Sequence, residues 1–238
     1  MPVQTKALPG LTGNQLKILA LIAMTCDHVG LQLLPRVLIL RIIGRLAAPI
    51  FAYMIAEGCR YTCRRGRYLG RLAAMAALCQ AVYFAATGSV YQCIFVTFSL
   101  SVCLIYVTDR AVRRQTPGAA VQAAAAFAAA VFVSWILPRL LRGTDFDVDY
   151  GPWGVMLPVL AYFGRKKREK LALFAVGVGL LGLYYGGIQW WGLLSLPLLA
   201  LYNGKKGKRK IGALFYWYYP AHLIIIYGLS LLVQQPAG

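Results

Sequence analysis

Asp27 and His28 stand side by side inside one apolar run, Arg41, Arg45 and Glu57 lie in the next, and His222 sits deep in the last. A charged side chain at bilayer depth costs roughly 2.5–3.5 kcal/mol on insertion scales, so such residues are rare and usually functional. The residue types present could move a proton near neutral pH and stabilise a developing charge. At 1.5 Å per residue, His28 lies about 18 Å from the start of its run, Arg45 about 12 Å and His222 about 17 Å. In a hydrocarbon core of about 30 Å, with the runs alternating in direction, these three residues share one level just off the midplane.

Neighbours on a helix point about 100° apart, so Asp27 and His28 do not face each other. The spacing instead predicts that Asp27 pairs with Arg45 or Arg41, which share a helix face at i,i+4, and that His28 projects into a polar cavity. The competing interpretation is a plain interhelical tie, since intramembrane polar groups also hold helices together. Glu57 is expected to meet Arg60 or Arg64 at the membrane surface, and Pro49 to kink its helix midway. Asp145, Asp147 and Asp149 lack the glycine and distal glutamate of an EF-hand loop and are expected to be solvated. Two histidines and an aspartate on separate helices give no recognisable metal-ligand spacing, so no metal is expected.

The elements that must position these groups are membrane helices. The chain is 60% hydrophobic and 13% charged, with mean hydropathy +0.63, outside ordinary soluble usage. Nine spans are predicted, near 16–34, 37–59, 69–87, 91–108, 119–137, 151–163, 171–185, 188–202 and 211–233. The net charge of +18 would suggest nucleic acid in a soluble protein. Here 20 of the 25 Lys and Arg residues, from Lys6 through Arg64, Arg65, Arg67 and the later clusters to Arg209 and Lys210, fall on alternate loops. That is orientation signal, with anionic lipid as a second contact, and nucleic acid is not expected. The positive-inside rule puts the amino terminus in the cytoplasm. The fold class expected is therefore all-α, a polytopic membrane bundle of about nine transmembrane helices, and residues 1–238 form one integral membrane domain. The first run lacks a small-residue cleavage pattern and is expected to stay attached. The Ala119–Ala130 stretch and the Gly182-xxx-Gly186 step are read as close helix packing.

Four segments carry a resemblance: LKILALIAMTCDHVG (16–30), GRLAAPIFAYMIAEG (44–58), DYGPWGVMLP (149–158) and FYWYYPAHL (215–223). In order and spacing they resemble the TraX family of integral membrane proteins, whose founding members N-acetylate conjugative pilin. The family pattern falls on Asp27, His28, Arg45, Pro49, Tyr150, Gly151, Gly154, Tyr216 and His222. Gln92 departs from it where members often carry Asn. The resemblance implies a multi-pass acetyltransferase of the bacterial cytoplasmic membrane, with acetyl-CoA as donor and a pilin or envelope glycan as acceptor. His28 would be the general base, Asp27 and Arg45 would fix geometry and field, and His222 would be the alternative base. Arg64, Arg65 and Arg67 would meet the cofactor phosphates. A transporter or flippase, or a non-catalytic assembly protein, would use the same buried charges differently.

Overall fold

The computed structural model describes residues 10–208 and 212–234. Lys6, Arg209 and Lys210 of the charge pattern lie outside them, as does the side chain of Tyr216. The described residues form helices and no strand, with two isolated bridges at Leu11–Tyr202 and Gln92–Val148. The helices are α1 (Gly13–Gln32), α2 (Leu38–Gly44), α3 (Ala47–Tyr61), α4 (Arg65–Thr87), α5 (Ile94–Arg114), α6 (Pro117–Val131), α7 (Leu137–Leu140), α8 (Gly151–Phe163), α9 (Lys167–Tyr185), α10 (Ser195–Ala200) and α11 (Gly212–Gln234). A π-helical turn, Phe132–Ile136, joins α6 to α7, and a 3₁₀ stretch, Gly187–Leu194, leads into α10.

Among the described residues each predicted span is mostly helical, with non-helical residues at 33–34, 37, 45–46, 91–93 and 201–202. Four helical stretches among the described residues are long and apolar enough to cross a membrane: Leu38–Tyr61, Arg65–Thr87, Ile94–Arg114 and Pro117–Leu140. Gly151–Phe163 and Trp217–Leu232 are apolar but shorter.

Helix boundaries follow local chemistry. Thr12 opens α1 with a capping box, its hydroxyl accepting from the Gln15 amide while the Gln15 side chain accepts from the Thr12 amide. Two of the donors that any helix start leaves over, the Gly13 and Asn14 amides, go to the carbonyls of Lys205 and Lys206. Thr116 caps α6, with Pro117 in the first turn, where its missing N–H costs nothing.

The break between α2 and α3 is the expected kink, displaced toward the amino terminus. Pro49 has no N–H for the carbonyl four residues back, and its ring crowds that carbonyl. The residue four back is Arg45, and the helix breaks there, at Arg45–Leu46.

Packing divides the chain into two compact units, Met1–Phe51 with Trp191–Gly238, and Ala52–Trp190. In the first, α1 packs against α2 and α11. In the second, α5 packs against α4, α6 and α8, and α8 packs against α9. The alanine-rich α6 does pack against α5, although of its residues only Ala119 and Ala130 are buried. The glycine step needs a correction. Gly182 does meet the Trp190 ring, but Gly186 has open space around it and φ +64, and it ends α9 rather than packing it.

Candidate functional site

Two glycines let α1 and α2 come together. A Cβ at Gly30 would lie 2.8 Å from Leu40 Cβ, and one at Gly44 would lie 2.7 Å from Asp27 Cγ. With no side chain in the way, Arg41 of α2 and Arg45 just beyond its end reach the Asp27 carboxylate. Arg41 Nη1 lies 3.0 Å from Asp27 Oδ2, and Arg45 Nη2 pairs with Oδ1. The sequence expected one or the other arginine; both bind. Arg45 sits at the break caused by Pro49, so a helix discontinuity and a buried ion pair coincide. Side-chain exposure there is 11% for Arg45 and 16% for Asp27.

The 100° step from Asp27 to His28 sends the two side chains to different neighbours. Asp27 turns to α2, and no hydrogen bond among the described residues joins it to His28. His28 turns to α11, where its Nδ1 lies 3.0 Å from His222 Nε2. The ring centroids are 5.0 Å apart. His28 therefore does not simply face a cavity, as expected; one of its nitrogens is held by the other histidine.

The tautomers follow from the partners. His222 Nδ1 lies 2.9 Å from the Tyr218 carbonyl, and a carbonyl can only accept, so His222 carries its proton on Nδ1. With both rings neutral, His222 Nε2 is then an acceptor and His28 Nδ1 must donate to it. That leaves His28 Nε2 with a lone pair and no hydrogen-bond partner among the described residues. Both His222 nitrogens are engaged, and the residue is 5% exposed.

Tyr218 sits beside this chain. Its ring stacks on His222 at 5.3 Å and 11°, and its hydroxyl lies 2.6 Å from Thr25 Oγ1. Thr25 in turn donates to the Leu21 carbonyl, so the Tyr218 hydroxyl donates to Thr25. Sequence reasoning missed Thr25 and took in Tyr218 only within the FYWYYPAHL segment. The signal was present: Thr25 and His28 are i,i+3 on α1, and Tyr218 and His222 are i,i+4 on α11, so each pair shares a face.

The basic residues assigned to cofactor phosphates behave differently from one another. Arg65 is committed to Asp109, Nη2 to Oδ2 at 2.7 Å, with its guanidinium 5.0 Å from the Tyr106 ring centroid. Arg113 joins the same carboxylate at 3.1 Å. Arg64 and Arg67, at the start of α4, are exposed. Glu57 also corrects an expectation. Its partner is Lys170, 2.6 Å away in the first turn of α9, with both side chains almost fully buried. Arg60 instead donates to the carbonyls of Tyr162 and Gly164 at the end of α8.

The aspartate triplet is not simply a solvated loop. Asp145 accepts from the Ser89 hydroxyl and the Val90 amide, which hold its carboxyl below the usual carboxylate range. Asp149 accepts from the Tyr91 hydroxyl at 3.0 Å, and its carbonyl accepts from Thr97 at 2.6 Å. Tyr150 follows with φ +60, a region L-residues avoid, then Gly151 with φ +50. At Gly154 a Cβ would lie 3.2 Å from Thr97 Cγ2 and 3.4 Å from the Asp149 carbonyl. The Y-G-x-x-G motif is thus the tight start of α8. The Gln92 amide donates to the Val90 carbonyl at 2.7 Å, a loop-bracing role.

A probable fimbrial assembly protein, FimC of serogroup H1 from Dichelobacter nodosus, is 28% identical over 92% of this chain and 96% of its own. An uncharacterized protein of Rickettsia prowazekii is 60% identical over 38 residues, 16% of this chain and 15% of that one. No solved structure matches. The family model described as TraX protein matches residues 12–230, a range that takes in every described motif from Asp27 to His222, and the chain belongs to the TraX family.

Proposed function

We propose that this protein is a membrane-embedded acetyltransferase that moves an acetyl group from acetyl-CoA to an amine or hydroxyl acceptor. The observation that carries the reading is the chain from the Tyr218 carbonyl through His222 to His28, which ends in an open lone pair on His28 Nε2. A base needs a free nitrogen whose orientation is fixed by its other one, and His28 meets that need. His28 Nε2 takes the acceptor proton as the acceptor attacks the thioester carbonyl. Arg45, oriented by Asp27, is the candidate donor to the resulting oxyanion. Collapse of the intermediate breaks the carbon–sulfur bond, and the leaving thiolate takes the proton from His28. His222 is a positioning residue here and not an alternative base, because both of its nitrogens are occupied.

The proposed topology is multi-pass in a bacterial cytoplasmic membrane, with nine spans and the amino terminus inside. Acetyl-CoA then approaches from the cytoplasm, where Arg64 and Arg67 are the exposed candidates for its phosphates, Arg65 being paired with Asp109. A pilin acceptor fits the relative named for fimbrial assembly, and an envelope glycan is the alternative acceptor.

That name also favours a second reading, a non-catalytic assembly protein in which the ion pair and the histidine chain are only ties. Membrane vesicles carrying the full chain decide between them, with labelled acetyl-CoA supplied on the cytoplasmic side. Acetyl transfer to envelope material that disappears in His28→Ala is expected. Transfer that persists undiminished in that variant refutes the assignment, and absence of any transfer or acetyl-CoA binding by the unaltered protein favours assembly.

A further inference from the structure

The unit made of Met1–Phe51 and Trp191–Gly238 has one acidic side chain in its sequence, Asp27, and Arg41 and Arg45 hold it. The lysines at the other end of α1 therefore have no acidic side chain in their unit. The fold nevertheless gathers them. The Gly13 and Asn14 amides donate to the carbonyls of Lys205 and Lys206 at 2.8 and 2.9 Å. Leu11 donates to the Leu201 carbonyl and accepts from the Asn203 amide. Gly207, with φ +94, lets the loop pass close to α1, since a Cβ there would lie 3.1 Å from Thr12 Oγ1 and 3.2 Å from Asn14 Cβ. Lys206 is thus fixed beside Asn14, and half-buried Lys17 stands one turn further along the same face. The Lys17 and Lys206 ammonium groups repel each other.

A topology signal needs positive charge alone and no such attachment. The neighbouring basic clusters also contain carboxylates. Asp109 takes Arg65 and Arg113, and Glu169 lies in the 165–170 cluster, where it accepts from the Arg165 and Lys166 amides. Cations that a fold holds together without a carboxylate favour a bound polyanion. The first amides of α1 take no part, since Gly13, Asn14 and Gln15 are already bonded. The ammonium groups themselves must do the binding.

Lys17 also has a fixed relation to the histidine chain. It lies eleven residues before His28, which is about 16.5 Å along α1 and about 20° around it. Both residues therefore stand on one face of one helix. From the pyrophosphate of a coenzyme A thioester to its acyl carbon there are about 14 bonds, which at roughly 1.2 Å advance per bond of an extended chain span about 17 Å. The two lengths agree. Resting on the acetyl-CoA reading above, we propose that Lys17 and Lys206, with Lys205 and Lys208 around them, bind the phosphates of acetyl-CoA, so that α1 spaces the thioester to reach His28. Arg64 and Arg67, in the other unit, are the competing site.

The test uses the full-length protein in a neutral detergent, where no anionic lipid contacts the lysines. Binding is measured with coenzyme A. Transfer is measured with acetyl-CoA and with S-acetylpantetheine, which carries the same thioester and no phosphate. Lys17→Gln and Lys206→Gln should each weaken coenzyme A binding and raise the acetyl-CoA KM about tenfold, with kcat little changed. The KM for S-acetylpantetheine should not move, and Lys206→Arg should retain binding. Arg114→Gln, exposed at the end of α5, controls for net charge and should change nothing. Lys206 is exposed, so its variant should fold, and unchanged melting curves check both. Unchanged coenzyme A binding in the double variant overturns the inference, as does a loss confined to Arg64→Gln or Arg67→Gln. An equal KM rise for both donors also overturns it, because only a phosphate contact discriminates between them. Lysine-dependent coenzyme A binding without any acetyl transfer upholds this site and refutes the transfer reading alone. Absence of coenzyme A binding by the unaltered protein overturns both.

Discussion

Each unit of this protein buries charge, but the two do so with different completeness. In Ala52–Trp190, Glu57 meets Lys170, and Asp109 meets Arg65 and Arg113. These are closed arrangements, opposite charges tied to each other, and they join helices distant in sequence. In the other unit Asp27 is closed in the same way by Arg41 and Arg45. The histidine chain beside it is not closed, because it ends on an open nitrogen of His28. Burial of a charge therefore does not by itself mark a reactive site. What separates the two regions is one unfilled valence, oriented by a chain of filled ones.

The largest expected effect breaks the open chain at its end. His28→Ala should lower acetyl transfer by about 10²–10⁴-fold, the range of a lost general base. Acetyl-CoA binding should survive, as measured by equilibrium binding to the purified variant. If the closed pairs are only ties, Lys170→Met should do the reverse. Stranding buried Glu57 should cost about 3–5 kcal/mol of stability, seen in denaturant unfolding, while transfer per folded molecule is retained. A catalytic defect with unchanged stability would move Glu57 and Lys170 to the reactive side of the comparison.

Replacing His222 sharpens the argument about orientation. His222→Ala removes the acceptor that holds His28 Nδ1–H, a hydrogen bond worth about 1.5–3 kcal/mol once His28 is charged, so turnover should fall about 10–100-fold. His222→Gln, whose amide oxygen can still accept, should recover part of this. The kcat–pH profile should move in the alanine variant, because the proton taken up on His28 loses its neighbour. Equal loss in both variants with an unmoved profile would make His222 a packing residue. Asp27→Asn and Arg45→Gln should be coupled by about 0.5–3 kcal/mol in a double-mutant cycle of detergent stability. Strict additivity would contradict the pairing.

The smallest effect lies in the loop before α8. Hydrogen bonds from Ser89 and Val90 depress the Asp145 carboxyl, so their stabilisation is present above the ordinary carboxylate range and is lost as pH falls through the depressed value. Thermal unfolding followed from roughly pH 6 to pH 3 should show this loss in the wild type and less of it in Asp145→Asn. An identical acid dependence in both would mean that the carboxylate does not brace the loop.

Much of this was legible in the chain itself. Hydropathy runs located the helical backbone, because a membrane helix satisfies its own backbone groups and needs only enough consecutive apolar residues. Helical periodicity put Arg41 and Arg45 on one face and turned Asp27 away from His28, and counting residues gave the two histidines one depth. The proline fixed a break, although the structure places it four residues earlier, at the carbonyl that loses its donor. Family motifs marked the right segments, but motif residues such as Tyr150 and Gly154 prove to shape a helix start.

Tertiary structure decided the partners. His28 and His222 are 194 positions apart, and nothing local says which of several helices at one depth will be adjacent. Glu57 has Arg60 and Arg64 close in sequence yet pairs with Lys170, because α9 brings that ammonium into the buried space that Glu57 occupies. The tautomers, and with them the free nitrogen of His28, depend on which atom each ring nitrogen meets. Residue types and spacing determine what chemistry a segment could do, whereas the packing of helices distant in sequence determines which lone pair is left to do it.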